Sequence, residues 1–199
     1  MYFTRTNKLL AIASLTFALG GCTAMTAQNP ASNLSPVNAA NVEGSERLML
    51  FGADVVAYFT QNAHVQGTPE FSSTHEQVNF HFASAEHKAL FDAEPTRYLP
   101  QYGGYCANGI MFGIPWGGTA SDFKVVNNKL YIFGGSTSQS AFELELDKNI
   151  ALADAYWEKE IKGNNSFIQR AKRLVLRVPH YKTGEEQAAE VQAAGKGAI

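Results

Sequence analysis

Apolar and polar positions alternate with two different periods along this chain, and the period changes part-way through it. Val78-Asn79-Phe80-His81-Phe82 alternates strictly, placing Val78, Phe80 and Phe82 on one face of a strand and Asn79 and His81 on the other. Val55 to Phe59 is a short apolar run that reads as a buried strand. Phe123–Val126 and Leu130–Phe133 flank Asn127-Asn128-Lys129, a hairpin signal because asparagine tolerates the positive φ of tight turns. Helical spacing appears between and after these runs. Ser84 is placed to cap a helix with His87, Leu90 and Phe91 on its inner stripe, and Pro95 suits the first turn of a second short helix. Ile150, Ala153, Trp157 and Ile161 step along one side of a longer helix that Gly163 can stop. Ser166 and Gln169 have the spacing of a capping box before an amphipathic helix carrying Phe167, Ile168, Ala171, Leu174, Val175 and Val178. Strands first and helices later predict an α+β fold, a small antiparallel sheet with several helices in a single domain.

The ends divide the chain. Residues 1–21 hold a short basic lead, Arg5 and Lys8, then the apolar run Leu9–Leu19. That run is too short to cross a bilayer, which takes about 20 apolar residues, and it suits a secretory signal. It closes on Leu19-Gly20-Gly21-Cys22, which resembles the lipobox of bacterial lipoproteins. The resemblance implies cleavage before Cys22, acylation of that cysteine, and display in the bacterial envelope. Thr23, in the position after the cysteine, points to the outer membrane facing the periplasm. Residues 22–44 are rich in Ala, Asn, Ser and Pro and read as a lipidated flexible tether. Residues 45–181 form the domain, and 182–199, small and polar, read as a frayed tail. The formal charge of −2 becomes about −4 once the leader is removed, a balance that argues against nucleic acid as a partner. Acylation of Cys22 would leave Cys106 as a lone thiol in an oxidising compartment, where it must be buried, ligated or reactive.

Several blocks together resemble exported proteins with a YHS domain: GADVVAYF (52–59), VNFHFASAEHKALFDAEPTRYLPQYGGYCANG (78–109), DFKVVNNKLYIF (122–133), and the helix with Ala153-Asp154 and Trp157. Val55 replaces the proline common in the first block. Ser121-Asp122-Phe123 stands where tryptophan and Asp-Pro are usual, and Phe133-Gly134-Gly135 replaces an asparagine-bearing hairpin end. Related YHS domains occur in copper-transporting pumps and some hydroxylases, often with two cysteines. The resemblance therefore implies a binding module with a metal as one candidate ligand, and it implies no particular reaction.

Cys106 follows Gly103-Gly104, which allow a sharp entry into a helix whose dipole would favour the thiolate. Such a sulfur could hold copper, zinc or haem iron, with His81 as the candidate second ligand reached through the fold. Against this stands simple burial, common for free cysteine. His87 reads as a hydrogen-bonded, partly buried side chain, with His64, His75 and His180 in loops. Asp54 and Asp122 read as turn caps. Tyr98, Tyr102, Tyr105, Phe112 and Trp116 crowd the thiol as core or as pocket lining. Gly134-Gly135-Ser136-Thr137 lacks the lysine of a phosphate loop. Five lysines and arginines fall between Arg170 and Lys182, as the solvated face of a packed helix or as a membrane-facing one. Three functions follow: a lipid-anchored, non-enzymatic module binding a metal or small ligand; a thiol enzyme or redox sensor using Cys106; and an envelope protein docking on a partner or membrane through its basic helix.

Overall fold

A computed structural model describes residues 33–195. The expected leader, Cys22 and the first part of the expected tether lie outside the described residues. The fold is α+β. A four-stranded sheet contains β1 (Ala39–Val42), β2 (Ser45–Met49), β3 (Thr68–His75) and β4 (Val78–Phe82) in the order β1-β2-β4-β3. Its β1–β2 and β3–β4 pairs are antiparallel, while β2 meets β4 in parallel at Leu48 and Asn79. A separate hairpin joins β5 (Thr119–Val126) to β6 (Lys129–Phe133). Asn127 and Asn128 take φ of 50° and 59° there, which is the two-residue turn that their side chains tolerate.

Strand β6 explains how one domain holds two cores. Its sequence KLYIF is almost continuously apolar, as a strand buried on both faces must be. Leu130 and Ile132 pack with Val55, Val56, Tyr58, Phe80, Phe82 and Phe91. Tyr131 and Phe133 point the other way, into a cluster with Tyr105, Ile110, Phe112, Phe142 and Ile161. The period of two thus makes β6 the wall shared by both cores.

Eight α-helices are found among the described residues: α1 (Ala57–Thr60), α2 (Ala85–Ala93), α3 (Pro95–Tyr98), α4 (Ala107–Ile110), α5 (Ser136–Leu144), α6 (Leu146–Tyr156), α7 (Ser166–Val175) and α8 (Gly184–Ala193). Ser84 caps α2 by accepting from His87 N, and Pro95 opens α3. α6 continues into a π-helical turn, Trp157–Ile161, that ends before Gly163 at φ 76°. Leu90 is exposed, so the inner stripe of α2 is His87 and Phe91.

Four expectations are corrected. Val55–Phe59 is a turn leading into α1, because the Asp54 carboxylate accepts from Val56 N and Ala57 N and bends the chain there. Asn165, one residue before Ser166, caps α7 by accepting from Phe167 N and Ile168 N. The tether is shorter than expected. Asn38 is buried and donates through Nδ2 to Gly104 O and Gly118 O, and β1 follows it. The frayed tail is also partly folded: Thr183 and Glu186 form a true capping box for α8, which buries Gln187 and Val191.

One buried and one half-buried ionisable group give the fold a sign in pH. Burial lowers the His81 pKa below its ordinary 6.5, so the unfolded chain binds its proton first. Stability from this residue is full above pH 6.5 and is lost as pH falls below it. Glu160 is raised by burial, but hydrogen bonds from Gln169, Arg173 and Lys172 outweigh that and hold it below its ordinary 4.5. Its contribution is present above pH 4.5 and is lost as pH falls through the lower, folded value. Urea melts should therefore show stability declining with acidity in two stages. His81→Asn should remove the first stage and keep the second; an unchanged first stage in that variant would refute the assignment.

Candidate functional site

Cys106 sits where the two cores meet. The chain reaches it through Tyr102 and Gly103, both at positive φ, and Cys106 itself is the residue before α4. Its N–H donates to Trp116 O at 2.9 Å, and a single bridge pairs it with Ile132 of β6. The side chain is 3% exposed. Its Sγ accepts from Gly134 N at 3.2 Å and lies 3.3 Å from the Ser138 hydroxyl.

Beside the sulfur is a cavity of about 560 Å³. One wall is Trp116 and Gly117. A second is Gly134 to Ser138, the entry to α5. A third is Asn108 of α4 with Gly184 and Gln187 of α8. Gly135, at φ 146° and ψ 162°, turns the chain from β6 into α5 in a region that side chains rarely adopt. No side chain caps α5, so its first amides carry the positive end of the helix dipole without a built-in acceptor. The lining contains no carboxylate, lysine or arginine. Asn108 is 3% exposed; its amide donates to Gln187 Oε1 at 2.6 Å, and its Oδ1 has no hydrogen-bond partner. A buried amide oxygen left in this way costs about 1–3 kcal/mol.

The expected metal pair is not assembled. His81 lies in β4 with Nδ1 facing the backbone of Gly52, and no histidine, methionine or carboxylate lines the cavity at Cys106. It is also buried, not on an outward face, because the chain at Gly52 covers that side of β4. One sulfur is short of the two to four protein ligands that copper or zinc would take, so the donor set does not fit these two metals. Among the described residues no cluster of three His, Cys, Asp or Glu has a metal-holding arrangement. Of the five crowded aromatics, Tyr98, Tyr102, Tyr105 and Phe112 are core, and only Trp116 lines the cavity. Tyr102 donates to Asp154 Oδ1 at 2.8 Å; burial first, then this bond, pushes its phenol pKa upward.

A second polar line was not legible in the sequence. Thr60 Oγ1 lies 3.3 Å from His87 Nε2, and His87 Nδ1 lies 2.6 Å from Asp54 Oδ2. The order resembles a nucleophile relay, but the Thr60 hydroxyl also reaches Val56 O one turn back at 3.1 Å. Asp54 is fully buried and accepts in addition from Val56, Ala57 and Ala83 N–H groups, so the line is a brace between α1, β4 and α2.

No family model, curated protein or solved structure matches this chain.

Proposed function

We propose that this chain, YHS-like in its sequence blocks, is a binding module whose cavity at Cys106 takes a small organic anion. The observation that carries this reading is a cavity whose wall includes the uncapped first turn of α5 and whose lining holds no carboxylate. An anionic head group suits the helix N-terminus, and Trp116 offers an apolar wall. Cys106 Sγ adds a polarisable contact.

Thermal unfolding with lactate, serine and glycerol phosphate as probes tests this. A probe at a hundred times its Kd should stabilise the protein by about 2.7 kcal/mol, roughly 5–10 °C for a chain of this size. Thr137→Glu supplies a carboxylate to the first turn of α5, where Thr137 is exposed at the cavity. It should leave the apo protein as stable as wild type or slightly more so, and it should abolish the shift by occupying and repelling the anion. A full shift retained in Thr137→Glu, or shifts from neutral polyols but from none of the anions, would remove the proposal.

A further inference from the structure

Helix α7 is packed inside out. Its buried residues are Ser166 and Gln169, while Phe167, Ile168, Ala171, Leu174 and Val175 form one exposed arc, Ile168 at 51% and Val175 at 81%. Exposed Leu176 extends the arc past the helix end. A short helix ordinarily gains its stability by burying its apolar face. Here polar bonds hold the opposite face. Gln169 donates to Gly113 O at 3.0 Å, and Gln169, Lys172 and Arg173 all donate to Glu160. Asn165 fixes the helix start. The attachment turns the apolar arc outward and holds it there.

We propose that this arc is a docking face for an anionic lipid surface. Between Lys159 and Lys182 the chain carries seven lysines and arginines; Glu160 lies within this segment, Lys162 and Lys182 pair with Glu158 and Glu190 just outside it, and the segment stays net cationic although the whole chain is formally −2. Anionic head groups attract such a segment. The same charge disfavours a second copy, since a symmetric contact through this face sets two cationic segments against each other. Lys172 stands at one edge of the arc and exposed Arg177 just beyond its end. Ten residues rise about 15 Å, so α7 lies along a bilayer surface and does not cross it.

The test is sedimentation with phosphatidylcholine vesicles, with and without phosphatidylglycerol, using the chain from residue 22 onward bearing Cys22→Ser, so that neither the basic, apolar N-terminal run nor an acyl group contributes. Binding that depends on phosphatidylglycerol is expected. It should weaken at least about tenfold in Ile168→Glu/Val175→Glu, whose side chains are exposed, and more than about fivefold in Arg177→Glu. Raised salt should weaken it too. Wild-type binding that ignores phosphatidylglycerol, variants that bind as wild type does, or a concentration-dependent dimer abolished by Ile168→Glu/Val175→Glu would each overturn the proposal.

Discussion

Asp54→Ala should lower the unfolding free energy by about 3–5 kcal/mol, the range for removing one partner of a buried charged network. The carboxylate is fully buried and both oxygens are committed. Oδ1 accepts from Val56 N at 2.9 Å and Ala57 N at 3.3 Å; Oδ2 accepts from Ala83 N at 2.8 Å and meets His87 Nδ1 at 2.6 Å. Alanine would leave three backbone N–H groups and an imidazole facing a void. Water is excluded there by Val55, Val56 and Phe82, each at most 1% exposed. For a chain of this size the loss corresponds to a melting point lower by roughly 6–20 °C. His87→Ala should cost less, because the carboxylate keeps its three amide donors. Equal melting points for Asp54→Ala and wild type would show that the brace contributes nothing to stability.

The same carboxylate shows what the sequence can and cannot reveal. Asp54 was readable as a turn cap, since aspartate bonds to nearby backbone amides wherever a turn begins. Its bonds to Ala83 and His87, about thirty positions away, were not, because they exist only once α2 is laid against β4. Strict alternation located β4, and the paired asparagines located the β5–β6 hairpin. Val55–Phe59 misled because an apolar run of five has no period of its own, and a capping carboxylate decided it. At the far end, Thr183-Gly184-Glu185-Glu186 was a legible capping signal hidden by the composition around it. Amphipathicity marked α7 correctly as a helix. It could not say which face is buried, since that depends on where Glu160 stands in the fold. The cavity was the least legible feature. Its walls come from four separate stretches of chain, and Gly134-Gly135-Ser136-Thr137 matters through backbone amides, which leave no signature beyond glycine and small polar residues.

Phe133→Ala should destabilise the protein by about 3–5 kcal/mol and also loosen the cavity. Phe133 is fully buried at the end of β6 and packs on Phe142 of α5, with ring centroids 5.4 Å apart. The next residue, Gly134, gives its N–H to Cys106 Sγ, and Gly135 then turns the chain into α5. One ring therefore fixes the strand end, the sulfur's donor and the helix that forms a cavity wall. Truncation removes the packing of the ring and leaves a hole that neighbours from β6, α5 and α6 cannot all close at once. Phe133→Leu keeps most of the volume and should cost about 1.5 kcal/mol or less. Iodoacetamide labelling of Cys106 in the folded protein should separate the two effects. The Leu variant should label as slowly as wild type. The Ala variant should label markedly faster at a temperature where circular dichroism shows it still folded, because Gly134 and Ser138 no longer hold and cover the sulfur. Unchanged labelling in a folded Phe133→Ala protein would mean that the cavity is shaped independently of the β6–α5 junction, and the positioning role given to Phe133 would fail even if its stability effect were found.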